Sequence, residues 1–577
     1  MNRNRLPLDY TIRKQNDHFI DTNVGIVYQP HVYELLSFLA TRSRPSRIIN
    51  IGAGSGDKLR GLDQEFEVIC IDTPHIRDYT IANVPQAKFI ECNLECGLPS
   101  IASSLWDKSL VICSDVLEHL KEPEVLARDL AGVRRDCAFM LISTPDRVRT
   151  RGVLDQGPPL NPAHTMEWAI DEFARFLNDC GFETKLRVGY TRSNSLSAAK
   201  STILAIAGRE AEYVPVELNL RVAAIIHVFN EFDIIEATIR HLIREGVEVH
   251  IIDNWSDDGS FELCERLLAE GLITNLSRFP DHPSSHYEWT KQLERTEDYA
   301  QNLSADWIIH CDADEVRLSP WPTVTLLDGI KFVDSLGYSA IDFTVLNFFF
   351  TDCVAYDHEF KPANFVEFDF GRHSSYLWQI KAWKNLGVKV NLSASGGHSV
   401  EFPNRRVYPF KFLTKHYPLR SERQANLKVF RNRIPRLSIE RQEKGWHQHY
   451  DVLQFAKSVE PWCSFELYPF DQHIFELEFV VESLSGIGIE QDSVYSVSKR
   501  TLVQTNLFLA KEFQKCTDQI KNLEQGVADL IHSRQAAEKA ATALRASTSW
   551  RITEPLRRVA YTWKKCTERI AGLCRRL

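Results

Sequence analysis

The sequence contains no long apolar run. No stretch approaches the ~18–20 uninterrupted apolar residues that a membrane-spanning helix needs, and the richest run, residues 223–228, has only the length of a strand. The N-terminal residues also lack the apolar core of a secretory signal, so we expect a cytoplasmic protein. With 44% hydrophobic and 25% charged residues, the composition is that of a globular protein, which excludes disorder throughout the chain.

Paired cysteines and an excess of basic charge are also missing. The 13 cysteines are scattered without a CxxC pair, which argues against a structural zinc site and favours reduced thiols. The formal net charge of −9 argues against a protein that coats nucleic acid, so no nucleic-acid partner is expected. With 26 glycines and 24 prolines, the chain has too few of these residues to be collagenous or of low complexity.

What is present is a chain of several domains. Its 577 residues argue for about three domains. Changes in pattern divide the chain into an N-terminal extension (1–25), a first α/β domain (26–207), a polar linker (208–219), a second α/β domain (220–455), an uncertain segment that could close the second domain (456–498), a helical segment (499–546) and a basic tail (547–577).

Short apolar strands alternate with helical patterns in the first α/β domain. This alternation predicts a doubly wound sheet. The predicted helices are 125–132 and 170–180, and the predicted strands are 47–51, 68–71, 88–90, 110–113, 138–142 and 203–207. A second alternation begins with a strand at 221–228, a helix at 234–244 and a strand at 247–253.

The first strand of the first domain runs into a glycine-rich turn. Gly52, Gly54 and Gly56 permit a sharp turn and a close approach of backbone to a ligand. The dinucleotide fingerprint G-x-G-x-x-G is not met, because Asp57 stands where its third glycine would be. The next strand ends in Asp72, whose carboxylate can accept both hydroxyls of a ribose. These features favour an adenosyl ligand without a pyrophosphate.

These residues resemble the class I S-adenosylmethionine-dependent methyltransferases over about residues 26–207. The segments 114–120 (SDVLEHL) and 161–168 (NPAHTMEW) share the resemblance. It implies S-adenosylmethionine as cofactor, with Asp115 near its methionine part and Asn93, where the family usually has Asp, near its adenine amine. An acceptor hydroxyl would need a base, and His119 and His164 are the candidates.

Acidic residues follow three apolar strands of the second α/β domain. The first strand ends in Asn230 and Glu231, the second in Asp253 with Asp258 nearby, and the third in Asp312-Ala-Asp314. Open α/β sheets bind their ligands at the carboxyl ends of such strands. Carboxylates at this edge suit Mg²⁺ or Mn²⁺, which can bridge phosphates.

The order and spacing of these motifs resemble the GT-A glycosyltransferases of the family 2 type, over about residues 220–450. The resemblance implies a nucleotide-sugar donor, with Asp253 at the nucleoside, Asp312 at the ribose or metal and Asp314 at the metal. Later motifs imply that either His398 or His416 completes the metal shell. The residues expected to bind the donor are Asn230, Glu231, Asp253, Asp258, Lys415 and Arg420.

The C-terminal part changes to a heptad pattern. Apolar residues spaced 4, 3, 4, 3 from Leu509 to Leu530 predict a coiled coil, hence a homo-oligomer or a coiled-coil partner, with a single packed amphipathic helix as the alternative. The tail from Arg551 has eight basic and two acidic residues, a net charge of +6, and apolar bulk that includes Tyr561 and Trp563. It resembles tails of bacterial surface-polysaccharide glycosyltransferases. A basic amphipathic helix of this kind suits peripheral contact with the cytoplasmic face of the inner membrane, with a solvated helix as the alternative.

Together these patterns predict a fused enzyme of surface-polysaccharide assembly. One half would transfer a sugar to a glycan or lipid-linked glycan, and the other would methylate a glycan or sugar. One alternative is a glycosyltransferase whose methyltransferase-like domain is not catalytic. Another is a platform whose coiled coil assembles other glycan enzymes.

Overall fold

The computed structural model describes residues 5–14, 26–182, 186–351, 360–371, 374–436, 458–489, 532–536, 538–540, 542–543 and 554–574. The chain divides into two compact units, residues 1–496 and residues 497–577. Each unit is described by itself. The first unit contains two mixed α/β sheets.

The first sheet has seven strands in the order β3-β2-β1-β4-β5-β7-β6. Strands β1 to β5 are parallel, whereas β7 is antiparallel to both β5 and β6. The strands are β1 (Ile48–Ile51), β2 (Val68–Asp72), β3 (Lys88–Glu91), β4 (Leu110–Ser114), β5 (Phe139–Pro145), β6 (Arg187–Thr191) and β7 (Thr202–Ala207). The helices are α1 (Pro30–Ser43), α2 (Leu62–Glu65), α3 (Arg77–Asn83), α4 (Pro123–Val133), α5 (Arg147–Arg151) and α6 (Ile170–Asp179).

The strand order places the ligand crevice of this sheet. Strand β1 pairs with β2 on one side and with β4 on the other, so the chain reverses its direction of winding between β1 and β4. Doubly wound sheets bind ligands at the carboxyl ends of strands at such a reversal. The glycine-rich turn after β1 and the residues after β4 therefore meet at one edge.

The second sheet runs β10-β9-β8-β11-β15-β13-β14-β17, with β12 and β16 joined to it through β13. Strands β8 to β11 are parallel, and β15 is antiparallel to β11. The strands are β8 (Val222–Val228), β9 (Glu248–Asp253), β10 (Asn275–Arg278), β11 (Trp307–Asp312), β12 (Glu315–Leu318), β13 (Ala340–Phe349), β14 (Glu367–Phe370), β15 (Ile380–Lys384), β16 (Phe412–Leu419) and β17 (Tyr468–Pro469). The helices are α7 (Ile235–Arg244), α8 (Ser260–Ala269), α9 (Trp289–Gln301), α10 (Leu326–Ser335), α11 (Ser374–Leu377), α12 (Glu422–Asn426), α13 (Gln472–Glu478) and α14 (Val480–Ser485).

The two sheets share one hydrophobic core. Side chains from β5 and β7 and side chains from β8 and β16 belong to the same buried cluster. The ring centroids of Phe139 and Phe410 lie 5.0 Å apart, and the indole N–H of Trp321 donates to the Ala211 carbonyl at 3.0 Å. Part of the predicted 208–219 linker is thus packed into the core between the sheets.

Helices α13 and α14 contact both sheets. In β6, a Cβ on Gly189 would lie 2.6 Å from the Leu477 carbonyl oxygen, so only glycine admits this close approach. On the other side, the Thr344 hydroxyl of β13 donates to the Ser483 carbonyl at 2.9 Å. The segment 456–498, which the sequence left uncertain, therefore contains helices that join the two sheets.

Most predicted strands agree with the observed ones to within about three residues. The predicted helices 125–132, 170–180 and 234–244 correspond to α4, α6 and α7. Strand β6 was not predicted, because RVGYT is polar at its start and contains the glycine that α13 and α14 require.

The second unit contains helix α15 (Glu554–Cys574), and residues 532–536, 538–540 and 542–543 are also helical. The predicted coiled-coil seam from Leu509 to Leu530 lies outside the described residues, so the coiled coil stays a prediction. On α15, Val559, Tyr561 and Trp563 are 67–75% exposed. Within the described parts of the chain, no helix is both long enough and apolar enough to cross a membrane.

Candidate functional site

The glycine-rich turn after β1 has the backbone that the sequence predicted. Gly52 and Gly54 have φ angles of +72° and +53°, a region that other L-residues rarely adopt. A Cβ on Gly52 would lie 2.3 Å from a methyl carbon of Val116, so a larger residue there would clash. A Cβ on Gly54 would meet no atom within 4 Å, because Gly54 borders open space.

Asp72, at the end of β2, is bound to this turn. The Gly54 N–H donates to one carboxylate oxygen of Asp72 at 2.9 Å, and the Thr73 N–H donates to the other at 2.7 Å. Asp72 is half-buried. Each carboxylate oxygen has two lone pairs, so acceptor capacity remains for two ligand hydroxyls.

A cavity of about 320 Å³ opens above the turn. Its wall includes Asn50 of β1, whose buried amide has no hydrogen-bond partner among the described residues. Asn93 also lines it, and its side-chain oxygen accepts from the Glu95 N–H at 3.2 Å. Every residue predicted from the sequence to bind the cofactor lines this one cavity: Gly52, Gly54, Gly56, Asp72, Asn93 and Asp115.

Asp115 follows β4 with a φ angle of +62°, a conformation uncommon outside glycine. Its carboxylate accepts from the side-chain amide of Gln29 at 3.0 Å. Gln29 is buried at the start of α1, and its side-chain carbonyl oxygen accepts from the hydroxyls of Ser114 and Ser143. This network fixes the Asp115 side chain at the cavity wall. The sequence did not predict Gln29, because its contacts with β4 and β5 depend on the tertiary fold.

His119 and His164, the two predicted bases, lie side by side. Their ring centroids are 4.8 Å apart, and the two rings are nearly perpendicular. His119 lines the cavity, and its Nδ1 lies 3.0 Å from the Ala163 carbonyl. His164 is buried behind it, with Nδ1 2.5 Å from a Glu167 carboxylate oxygen. Burial lowers the pKa of His119, so its imidazole is neutral at pH 7.

Glu118 is a buried acid that the sequence analysis did not assign. Its side chain is fully buried, and burial together with the neighbouring Asp115 carboxylate raises its pKa well above the usual value. Burial opposes ionisation of Asp115 as well, but a hydrogen bond with Glu118 and the nearby His119 and His164 lower the Asp115 pKa. The two acids therefore differ in protonation state, and Asp115 is the charged one.

This geometry fits an adenosyl ligand. The glycine turn admits a ligand close to the backbone, and Asp72, at the end of the neighbouring strand β2, offers carboxylate acceptors. The Asn50 amide, which has no hydrogen-bond partner among the described residues, also lines the cavity. Residues 28–185 also match the family model described as "Methyltransferase domain". These residues form a class I S-adenosylmethionine-dependent methyltransferase domain.

Two proteins of similar sequence carry descriptions of the same kind. Two proteins of Mycobacterium tuberculosis, from strains CDC 1551 / Oshkosh and H37Rv, are each described as a probable S-adenosylmethionine-dependent methyltransferase and are 29% identical over 151 residues, 25% of this chain. The chain spans about half (51%) of the length of these relatives. Among solved structures, the plantazolicin methyltransferase BamL in complex with a triazolic desmethylPZN analogue and SAH is 15% identical, with a TM-score of 0.26, over 31% of this chain and 85% of its own.

Beyond the methyltransferase domain, the acids predicted in the second sheet also lie at strand ends. The Asn230 side chain donates to Asp257 at 2.7 Å and accepts from the Asp257 N–H at 2.9 Å. Asp258 accepts from the Phe232 and Ser260 N–H groups, which ties the loop after β8 to the loop after β9. These mutual bonds give the edge a fixed backbone.

Asp253, at the end of β9, is fully buried. One carboxylate oxygen accepts from the Ser256 N–H at 3.1 Å, and the other has no partner within the described part of the chain. Burial raises the pKa of Asp253. Next to it, the side-chain oxygen of Asn254 accepts from Arg436 at 2.7 Å, and the Arg436 guanidinium lies 3.9 Å from the Phe229 ring centroid.

Asp312 and Asp314 form ion pairs with two different lysines. The Lys381 ammonium lies 2.9 Å from Asp312, and the Lys428 ammonium lies 2.7 Å from Asp314 and 2.8 Å from Glu231. Burial opposes ionisation of Asp312, but Lys381 outweighs it and holds the Asp312 pKa well below its usual range. Burial likewise opposes ionisation of Asp314, and Lys428 with other nearby cations lowers its pKa to about 2. Both carboxylates are therefore ionised at pH 7.

Arg420, one of the predicted donor-binding residues, lies beside the same acids. Its guanidinium contacts Glu231 at 2.5 Å, Asp233 at 2.7 Å and Asp314 at 3.8 Å. Lys381 and Lys428 were not predicted. Their approach to the acids depends on tertiary pairing, and no motif marks them.

The two histidines predicted as alternative metal ligands lie in different surroundings. His416 points its Nε2 toward Asp314 at 3.7 Å, whereas His398 lies 2.9 Å from the Gln379 amide. Lys415 lies on the opposite face of β16 from His416, with its ammonium 4.1 Å from the Phe470 ring centroid, and burial lowers its pKa to about 8. Of the two histidines, His416 is the one near Asp314.

A metal site at Asp312 and Asp314 does not fit this arrangement as it stands. Within the described residues, three or more ligand atoms of His, Cys, Asp or Glu gather only in the methyltransferase domain. In the second sheet, Lys381 and Lys428 occupy the carboxylates that would bind the ion. The predicted Mg²⁺ or Mn²⁺ at this edge stays a prediction.

Proposed function

We propose that the methyltransferase domain transfers a methyl group from S-adenosylmethionine to a glycan or sugar. The observation that carries the cofactor part is the hydrogen bond from the Gly54 N–H to Asp72 beside open space at Gly54. Asp72 would accept the ribose hydroxyls, and Asp115, fixed by Gln29, would face the methionine part. S-adenosylmethionine, when bound, supplies an electrophilic methyl group.

The chain's own residues position the acceptor and its proton. Catalysis of this kind depends mainly on holding the reacting atoms in line. His119 lines the cavity and is neutral at pH 7, so its imidazole can take a proton from an acceptor hydroxyl. His164 is buried behind His119 and is held by Glu167, so it serves to position rather than to contact an acceptor.

Methyl transfer can be tested directly on the full-length protein. S-adenosylmethionine with a labelled methyl group is incubated with the protein and with glycan fractions from cells that lack the gene. Label in a glycan, lost on boiling the protein and reduced at least about tenfold in His119→Asn, supports the proposal. A protein that binds the cofactor but labels no glycan instead supports a non-catalytic methyltransferase-like domain.

We further propose that the second sheet is a GT-A domain that transfers a sugar from a nucleotide-sugar donor. The supporting observation is that β9, β8 and β11 are adjacent and parallel. Strands β9 and β11 end in Asp253 and Asp312, and Glu231 lies three residues after the end of β8. Adjacent parallel strands bring their carboxyl ends to one edge, where sheet ligands bind.

The charges at this edge suit a nucleoside diphosphate. The buried acceptor oxygen of Asp253 lies where the nucleoside is expected. Arg420, Lys381 and Lys428 supply positive charge beside the acids, and such cations stabilise a leaving diphosphate. Release of nucleotide diphosphate from one sugar donor in a panel, dependent on added acceptor, tests this part. Absence of turnover with every donor would contradict it.

We place both reactions in assembly of a bacterial surface polysaccharide. The support is the resemblance of the basic tail to those of such enzymes and its exposed aromatic side chains. The protein would work in the cytoplasm, peripherally at the inner membrane, as a homo-oligomer or with a coiled-coil partner. Mass spectrometry of the surface glycan with and without the gene tests this placement. Loss of both a sugar and its methyl group is the expected result, and an unchanged glycan would contradict it.

A further inference from the structure

Four potential metal ligands converge at the wall of the cofactor cavity. They come from the segment after β4 and from the loop before α6: Asp115, Glu118, His119 and His164. One ligand atom from each lies within 4.8 Å of those of the other three. Asp115 and His119 also line the cavity, so this group borders the space where an acceptor would meet the cofactor.

The local structure holds the group together. The Thr165 N–H donates to the Glu118 carbonyl at 2.7 Å, and the Thr165 hydroxyl donates to the His119 carbonyl at 3.0 Å. These two bonds join the loop that contains His164 to the turn after β4. The four side chains therefore meet because one backbone bond and one side-chain bond join two segments 46 residues apart.

Glu118 is the member of the group that needs an explanation. It is fully buried, and its carboxyl group is hydrogen-bonded to another acid, Asp115. Two buried acids in contact cannot both ionise cheaply, and buried charges are usually paired with a cation or coordinate a metal.

The two histidines are oriented as metal ligands usually are. His119 Nδ1 lies 3.0 Å from the Ala163 carbonyl oxygen, which can only accept a hydrogen bond. Nδ1 therefore carries the proton, and Nε2 has a lone pair. His164 Nδ1 faces Glu167, and Arg151 forms an ion pair with Glu167 at 2.7 Å. A carboxylate or carbonyl behind each ring is the usual support of a ligating histidine.

We infer that Asp115, Glu118, His119 and His164 bind one first-row divalent cation of the Mn²⁺ class at the cavity wall. Two carboxylates would balance its charge, and a mixed oxygen and imidazole set suits such an ion. Ligands about 2.1 Å from one ion lie at most about 4.2 Å apart, so the group must contract by a few tenths of an ångström. His164 Nε2 must also exchange the Asn161 amide, now 2.9 Å away, for the ion.

This site deepens the proposed methyltransferase function and rests on it for its role. Because Asp115 and His119 face the cavity, open positions of the ion would face the acceptor. That favours acceptors with a hydroxyl, or two adjacent hydroxyls, as sugars have. A hydroxyl bound to a divalent cation is a stronger acid. With His119 bound to the ion through Nε2, the ion would replace that imidazole as the group that activates the hydroxyl. The proton of the hydroxyl would pass to solvent, its oxygen would form the O–CH₃ bond, and the electrons of the broken S–CH₃ bond would remain on sulfur.

The test is calorimetric titration of metal-free, full-length protein with MnCl₂ alone. The variants are Glu118→Gln and His119→Asn, and the second keeps the proposal testable if the first does not fold. The matched control is Glu122→Gln, an exposed glutamate next to α4. Asp314→Asn is combined with each of these variants, so that binding at the other predicted metal position, in the second sheet, does not enter the comparison.

We expect Mn²⁺ binding in wild type and Glu122→Gln, weakened at least about tenfold in Glu118→Gln and His119→Asn. No Mn²⁺ binding to wild type, or binding that survives in both variants, would overturn the inference. S-adenosylmethionine is titrated into the same samples. If the wild-type protein does not bind S-adenosylmethionine, the proposed function is refuted. If it binds S-adenosylmethionine but not Mn²⁺, only the metal site is refuted.

Discussion

Arg42, on the first helix of the methyltransferase domain, donates to the fully buried carboxylate of Asp342 on a strand of the second sheet at 3.1 Å. Lys411 lies 3.3 Å from the same carboxylate oxygen. This ion pair lies within the core that the two sheets share. The two halves of residues 1–496 are therefore one folding unit, although their proposed reactions are separate.

Removal of Asp342 should destabilise both halves together. Asp342→Ala would leave Arg42 and Lys411 buried without their counter-ion, and breaking a buried pair in this way typically costs about 3–5 kcal/mol. The control is Asp171→Ala, which removes an exposed partner of Arg175 and should cost at most about 1 kcal/mol. Urea unfolding followed by fluorescence and by loss of cofactor binding gives both values. A loss confined to the second sheet would contradict a shared core.

Glu210 gives a pH-dependent test of the same interface. The Tyr338 hydroxyl donates to its carboxylate, and burial raises the Glu210 pKa above the 4.5 of a free side chain. A carboxyl group whose pKa is raised on folding costs stability as the pH rises above its unfolded pKa. Glu210→Gln should therefore unfold at a higher temperature than wild type at pH 7, with the difference shrinking toward pH 4. An equal difference at both pH values would mean that Glu210 does not titrate as described.

Asp314→Ala should abolish sugar transfer and leave cofactor binding intact. The substitution removes a carboxylate of the proposed donor site and leaves Lys428 and Arg420 without one of their partners. The measurement is release of nucleotide diphosphate at saturating donor, with and without added Mn²⁺. Asp281→Ala, at an exposed loop position, is the control. Turnover of Asp314→Ala at the wild-type rate would exclude this residue from the reaction.

The C-terminal 79 residues should control assembly and membrane contact. Full-length protein should sediment as an oligomer and bind anionic liposomes at low salt, whereas a chain ending at residue 498 should do neither. A net charge of +6 beyond residue 550 gives about 1 kcal/mol per basic residue near an anionic surface, and salt weakens this attraction. A full-length protein that stays monomeric and ignores liposomes would refute both expectations.

The sequence predicted the parts of the fold that depend on local pattern. Apolar runs predicted most parallel strands, and the spacing of Gly52, Gly54 and Asp72 predicted which residues line the cofactor cavity. Those features depend on short segments of sequence. In such segments, the alternation of apolar residues determines a strand and the residue types determine a turn.

What could not be predicted depends on approach between distant segments. Gln29 reaches Asp115 across 86 positions, and Lys428 reaches Asp314 across 114 positions. Glu118 belongs to the predicted SDVLEHL segment, but no role was predicted for it, because its burial beside Asp115 depends on the tertiary fold. The shared core was missed for the same reason, since the polar composition of 208–219 indicated a linker between independent domains.

The central claim is that the turn after β1 and Asp72 hold S-adenosylmethionine. Calorimetric titration of the cofactor into full-length protein tests it most directly, with Asp72→Ala, Gly54→Val and the exposed control Asp78→Ala. Loss of a hydrogen bond to a charged group costs about 1.5–3 kcal/mol, or about 10–100-fold in affinity. We predict one site per chain in wild type and Asp78→Ala, at least tenfold weaker binding in Asp72→Ala, and no heat in Gly54→Val. Absence of binding to wild type, or equal affinity in all four proteins, would contradict the account.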